Sequence, residues 1–296
     1  MKIKINSLLL LLPSLLLSQG SSSGAVSLKF PTTPFVAATG ESFISDPAAL
    51  QSIFINPANI ASRESYGVLF SHTEWIQDIR TECLSIAAPL SFGSLSLSVE
   101  NTSVDGLEFR TIPGPAQGTF TVQSTAFQLT YGVAVTRDIR IGVAPKYLYE
   151  KIFVDEATGY GFDTGLLYTT PLDGLTVGCS LTNLGSLSAF RNERTDLPSQ
   201  IRLGGTYSFK LDELVFRTAA AFSSELGTSI NHCSIGGEAI YDQTITARIG
   251  YQTGFDTRGI SAGIGIRYSI VMIDYAYLPF SLQIGNSHLI SIGFNL

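Results

Sequence analysis

From Tyr66 to the end of the chain, apolar residues alternate with small or polar ones at a period of two. Phe127, Leu129, Tyr131, Val133 and Val135 interleave with Gln128, Thr130, Gly132 and Ala134, and Ala262, Ile264, Ile266 and Tyr268 with Gly263, Gly265 and Arg267. The last segment sets Ile290, Ile292, Phe294 and Leu296 against Ser291, Gly293 and Asn295. A period of two places successive side chains on opposite faces of a strand, one apolar and one not. About fourteen such segments can be marked, near 66–75, 81–90, 93–103, 120–135, 139–153, 157–170, 174–184, 199–209, 212–223, 231–241, 244–253, 259–268, 270–278 and 287–296. Each is long enough to cross a bilayer at a tilt, which takes about 9–11 residues. Leu172-Asp173-Gly174 and Asp242-Gln243 read as turns, and 104–119 and 185–198 as longer connections.

A soluble sandwich alternates too, so the non-apolar face has to decide between the two. That face is built mainly of Gly, Ser, Thr, Ala and Gln. Tyr149, Tyr168, Tyr207, Tyr241, Tyr251 and Tyr268 stand on the apolar face towards strand ends. A small neutral lumen inside and an aromatic girdle outside is the pattern of a transmembrane antiparallel β-barrel, so the expected class is all-β with about 14 strands. The apolar positions of the final strand, Ile290, Ile292, Phe294 and Leu296, make it the expected C-terminal insertion strand.

The first 63 residues differ. Met1–Asn6 is basic, Leu8–Leu17 apolar, and Ser18-Gln19-Gly20 small and polar, which reads as a signal peptide over 1–20. Residues 21–40 look extended. Asp46-Pro47 followed by Ala48-Ala49-Leu50 reads as an N-cap and a short helix that Asn56-Pro57-Ala58 breaks or restarts. Residues 21–63 are therefore expected to form a plug or hatch segment and 64–296 the barrel.

Composition fits this division. Charged residues make up 14% of the chain against about 25% in a soluble domain, and mean hydropathy is +0.26. The net charge of −6 and the lack of Lys/Arg clusters exclude a nucleic-acid partner. Charges on the non-apolar face include Arg140, Lys146, Glu150, Asp163, Arg202, Arg217, Glu238, Arg248, Arg267 and Asp274. Unpaired charge in a low-dielectric interior is costly, so they should pair across strands, Glu238 with Arg248 and Arg267 with Asp274, as a structural lumen network. A polar lining for a solute is the alternative. Cys83, Cys179 and Cys233 form neither a disulfide framework nor a CxxC pattern, and His72, His232 and His288 are far apart. No GxSxG, HExxH or P-loop is present, so no catalytic, cofactor or metal site is expected.

Several stretches, in order along the chain, resemble the PorV/PorQ family of outer-membrane barrels, relatives of the FadL-like transporters. They are Asp46-Pro47-Ala48-Ala49-Leu50 with Asn56-Pro57-Ala58, then His72-Thr73-Glu74-Trp75, Asp163-Thr164-Gly165-Leu166-Leu167-Tyr168 and Leu181-Thr182-Asn183-Leu184-Gly185. Leu197-Pro198 before Arg202-Leu203-Gly204, Gly236-Gly237-Glu238, Arg248-Ile249-Gly250-Tyr251, Asp274-Tyr275-Ala276-Tyr277 and His288-Leu289-Ile290-Ser291 complete the set. The resemblance implies a 14-stranded barrel in a Gram-negative outer membrane, surrounded by outer-membrane lipid and inserted by the barrel-assembly machinery. Asn56, Pro57 and Ala58 would be the family's NPA motif, packed at the barrel mouth. It further implies a role beside type IX secretion, with secretion-system proteins or cargo bearing a C-terminal signal domain as partners. A FadL-like channel for hydrophobic molecules and a mainly structural barrel remain as alternatives.

Overall fold

The alternating segments become a closed antiparallel barrel. A computed structural model of the protein describes residues 24–47, 49–190 and 194–296, so the expected signal peptide lies outside the described residues. The barrel strands are β1 (Gly67–Glu74), β2 (Ile79–Leu90), β3 (Gly93–Phe109), β4 (Gly118–Ala134), β5 (Ile139–Ile152), β6 (Asp155–Thr169) and β7 (Leu175–Leu187). They continue as β8 (Gln200–Leu211), β9 (Leu214–Glu225), β10 (Asn231–Tyr241), β11 (Ile245–Gln252), β12 (Ile260–Tyr268), β13 (Val271–Pro279) and β14 (Asn286–Asn295). Each pairs with its neighbours in sequence, and β1 closes the ring on β14 with Gly67 opposite Asn295 and Glu74 opposite His288. Closure leaves no sheet edge in the membrane, which hydrocarbon requires because it cannot satisfy free backbone groups.

Large apolar side chains point outward, among them Phe127, Leu129, Ile249, Ile264, Ile290 and Ile292. Of the tyrosines on that face, Tyr207, Tyr241, Tyr251 and Tyr268 are exposed at the rims. Turns at one end of the barrel are short, as at Ser91-Phe92 and Ser269-Ile270. Connections at the other end include Arg110–Gln117 and Ser188–Ser199. Outer-membrane barrels keep short turns in the periplasm and longer loops outside, which orients the barrel.

Strand ends depart from the alternation in places. β3 runs to Phe109 rather than ending near 103, because the β3–β4 register shifts at a bulge between Val104 and Leu107. The bulge breaks the period of two without breaking the ladder. Strands β3 and β4 have 17 residues each while β11 has 8, so one wall of the barrel rises above the other on the outer side. The connection 185–198 is shortened by β7, and its Thr195-Asp196 folds back to pair with Ser186-Leu187.

Residues 24–63 fill the lumen. The stretch read as extended contains a 3-10 turn at Val26–Lys29 and a helix, α1 (Pro34–Ala38). Thr33 caps α1, accepting the Val36 N–H at 3.4 Å, and Pro34 stands at its first turn. Asp46-Pro47 carries the same pattern, but Ala48 lies outside the described residues, and among those described the next helical turn is the 3-10 turn Leu50–Ser52. The Asp46 carboxylate is instead taken by Arg217 on β9, and a charge-assisted contact outweighs a cap. Asn56-Pro57 does restart a 3-10 turn, Pro57–Ile60, with the Asn56 Oδ1 accepting the Ala58 N–H at 3.0 Å.

Candidate functional site

The site is the filled lumen. The segment enters at the outer end, where Ala25 packs on Ala126, Leu148, Leu187 and Leu197, and leaves at the periplasmic end, where Arg63 lies against Gly67 of β1. Between these points it is buried almost throughout, including Phe35, Phe43, Ile44, Ile53 and Ile60. The wall makes room for it by omitting side chains. A Cβ on Gly142 would overlap the Pro57 carbonyl carbon and the Ala58 nitrogen, and one on Gly165 would overlap the Asn56 Oδ1.

Asn56, Pro57 and Ala58 are all buried in this contact. The Asn56 Nδ2 donates to the Ile44 carbonyl at 2.9 Å while its Oδ1 holds the Ala58 N–H, so one amide ties two turns of the plug together. Asn56→Ala leaves both backbone groups without these partners in a buried site. It is expected to lower unfolding stability by about 1–3 kcal/mol, as read from urea titration in lipid vesicles.

Most lumen charges fall into three groups, and Lys29 of the plug pairs separately with Glu225 at 2.8 Å. In the first, Arg217 pairs with Asp46 of the plug and with Glu238 at 2.9 Å, Arg248 with Glu238 at 2.6 Å and with Asp274, and the Gln51 Nε2 donates to the Asp274 Oδ2 at 2.6 Å. In the second, Lys146 pairs with Asp163 at 2.8 Å and donates to the Asn183 Oδ1 at 2.7 Å. The Asp163 Oδ1 accepts the Asn183 N–H at 2.7 Å, and Glu100 accepts the Thr32 hydroxyl at 2.9 Å. In the third, Glu41 of the plug meets Arg258 at 3.2 Å and Arg202 at 3.9 Å, and Arg202 donates to the Thr182 hydroxyl at 2.7 Å. Arg140 donates to the Ser62 hydroxyl of the plug and, at 2.8 Å, to that of Thr169. Glu150 accepts the Ser124 hydroxyl at 3.1 Å.

Glu238 and Arg248 face each other across β10 and β11. Arg267 and Asp274 do not meet. The tight β12–β13 turn pairs Tyr268 with Val271, which sets Arg267 opposite Met272 and Asp274 opposite Gly265. With no side chain at Gly265, Arg248 reaches over β12 and takes Asp274, and Arg267 is left at the exposed periplasmic rim. Arg267→Ala should therefore change unfolding stability by less than about 0.5 kcal/mol, an outcome the same titration reads.

Aromatic groups close the outer end. Trp75, between β1 and β2, packs on Phe30 of the plug with centroids 5.2 Å apart and on Phe280 at 5.3 Å. Arg258 lies over Phe255 at 3.9 Å and over Trp75 at 5.6 Å, while His232 stacks on the Phe255 ring at 3.8 Å. Burial pulls the Arg258 guanidinium below its usual range, and Glu41 opposes that shift. The plug is thus gripped by loops from several sides.

Sequence reasoning missed the plug's own share of this chemistry, Lys29, Glu41, Asp46 and Gln51, and the loop cation Arg258. The available signal was charge parity, since the wall residues Arg202 and Asp274 lack a charged partner in strand register, while the single carboxylate Glu238 stands between Arg217 and Arg248. Cys83, Cys179 and Cys233 are free thiols, and no cluster of metal-ligand side chains occurs among the described residues.

Residues 51–294 match the family model described as type IX secretion system membrane protein PorP/SprF. The chain belongs to this family. The matching family is PorP/SprF, and the PorV/PorQ likeness stands beside it as a resemblance of motifs. No curated protein matches. Among solved structures the fold is similar to the CymD monoaromatic hydrocarbon channel (TM-score 0.61, 12% identity, covering 93% of this chain and 98% of that one). It is also similar to the Pseudomonas putida toluene transporter TodX (TM-score 0.57, 12% identity, 88% and 96%) and to a Pseudomonas aeruginosa FadL homologue (TM-score 0.55, 12% identity, 88% and 97%). At such identities the likeness establishes the fold, a FadL-like barrel. With the family, it places the PorP/SprF chain in the outer membrane.

Proposed function

We propose that the protein is an outer-membrane component beside type IX secretion that handles secreted proteins through its exposed surfaces rather than by passage through its lumen. The observation that carries this reading is the lumen filled by residues 24–63 and gripped by ion pairs and aromatic loops. A barrel filled in this way has its loops, its tall β3–β6 wall and its periplasmic face left for partners. The family match and the PorV/PorQ likeness support the same reading, with secretion-system proteins or cargo bearing a C-terminal signal domain as those partners. Residues 1–20 act as a cleaved signal peptide, and the final strand with Ile290, Ile292, Phe294 and Leu296 as the segment recognised by the barrel-assembly machinery. Arg140, Lys146, Asp163, Arg202, Arg217, Glu238, Arg248 and Asp274 serve as structural lumen contacts. Arg267 has no part in that network. No catalytic or cofactor role is assigned. Affinity purification of the tagged protein from outer membranes is expected to recover secretion-system or cargo proteins, and deleting its gene to trap cargo in the periplasm. Recovery of neither, with normal export in the deletion strain, contradicts the proposal.

A second reading, a channel for hydrophobic molecules with residues 41–63 as hatch, draws on the structural neighbours, among them a monoaromatic hydrocarbon channel and a toluene transporter. An apolar cavity of about 370 Å³ at the outer end, lined by Val26, Phe30, Ile79, Val104, Val122 and Ile152, favours it. Uptake of a long-chain fatty acid into vesicles carrying the barrel, no faster than into empty ones, removes it.

A further inference from the structure

We infer that the periplasmic mouth of the lumen is a binding site for an aliphatic side chain ending in a carboxylate, presented by a periplasmic protein. Below the plug the barrel keeps a cavity of about 290 Å³, the liquid volume of roughly ten waters. It opens at the short-turn end, between Gln243 and Thr246 on one side and Arg267, Met272 and Asn295 on the other. The outer end is filled by the plug and its aromatic grip, so this cavity is reached from the periplasm.

Its lining is amphipathic. Leu69, Val215, Ile240 and Met272 supply apolar walls on the lumen face. Four guanidinium groups, Arg63, Arg217, Arg248 and Arg267, line it against three carboxylates, Asp46, Glu238 and Asp274. The charges are sorted by depth. All three carboxylates are buried and already hold Arg217, Arg248 or Gln51. Towards the mouth stand Arg63, bound to the Asn295 Oδ1 and the Tyr66 carbonyl, and Arg267. Arg267 is exposed, and among the described residues its guanidinium reaches only the Met272 Sδ, at 3.7 Å.

An arriving anion therefore meets cations first, in an opening walled by protein where their field is focused. A glutamate side chain or a chain-terminal carboxylate suits this arrangement. Its methylene stem lies on Met272, Val215 and Ile240, and its carboxylate takes the planar fork of Arg267 in two parallel N–H···O bonds. A basic side chain would pass Arg267 to reach carboxylates that are already engaged. The inference rests on the orientation of the barrel and on this lining, not on the secretion reading.

The test uses the full-length barrel purified in detergent, with fluorescein-labelled hexaglutamate and hexalysine peptides followed by anisotropy and with unlabelled glutarate and inorganic phosphate as competitors. Saturable binding of hexaglutamate is expected, with hexalysine silent and glutarate competing better than phosphate. Arg267→Glu should weaken hexaglutamate binding at least tenfold, whereas Arg137→Glu, a charge reversal in the β4–β5 turn outside the cavity, should leave it within twofold. Equal loss in both variants would mean general surface attraction, and preference for hexalysine or no saturable binding would mean that no such site exists. Phosphate displacing hexaglutamate as well as glutarate does would assign the cavity to free anions. Any of these outcomes overturns the inference. Because Arg267 makes no ion pair in the fold, the Arg267→Glu barrel stays folded, and its heat-modifiable gel mobility verifies this.

Discussion

Gly142→Val is expected to drive the plug out of its seat and turn a filled barrel into a conducting one. The position lies on the lumen face of β5, where the backbone of Pro57 and Ala58 takes the space of a side chain. A clash with backbone on a packed 3-10 turn cannot be relieved by changing a rotamer, and even ordinary overpacking of a core costs about 1–3 kcal/mol. The wall is hydrogen-bonded on both sides, with Gly142 between Gly132 and Gly165. The plug, held mainly by side chains, is the part that yields. Urea midpoints should fall, and current steps absent from the parent should appear in planar bilayers. Gly237→Val is the control. It faces outward from β10, its nearest neighbours for an added Cβ lie at 3.9 Å, and it should remain within about 0.5 kcal/mol of the parent and electrically silent.

Arg248→Met carries the second large effect. Removing this guanidinium leaves Asp46, Glu238 and Asp274 in the interior with Arg217 as the one cation of their group. Breaking a buried ion pair from one side typically costs about 3–5 kcal/mol, because the remaining charge has lost its partner and its water. The triple replacement Arg248→Met, Glu238→Gln, Asp274→Asn removes the stranded charge. It should regain more than half of the loss, since the Gln51 donor still finds an amide oxygen and Arg217 keeps Asp46. If the single and triple variants unfold at the same urea concentration, packing and not charge accounts for the effect.

Much of the barrel was legible because its cause is local. An alternation of two is visible in any strand with lipid on one side, and the number of strands follows from counting alternating runs between turns. What failed to show was whatever depends on register or on a second element. The β3 extension past residue 103 was hidden by a bulge, which spoils the alternation while the ladder continues. The Arg267–Asp274 pairing was wrong because hairpin register is fixed by a two-residue turn, and because an absent side chain at Gly265 lets Arg248 reach across a strand. The helix expected after Asp46 was displaced because a long-range partner, Arg217, competes for the capping carboxylate. Thr33-Pro34 escapes notice because the stretch around it is rich in Ser, Gly, Pro and Thr, although it holds the same cap-and-proline signature that Asp46-Pro47 shows in the sequence. A plug has no period of its own. Its fit is written in the lumen glycines, whose meaning appears only once the strand faces are known.

The most direct measurement is the ion conductance of the purified, unmodified barrel in planar lipid bilayers. A lumen filled by residues 24–63 predicts a flat trace at moderate voltage, with steady current steps in a variant lacking those residues. Stable steps of equal size from both proteins would show that the plug does not close the lumen, and would contradict the account.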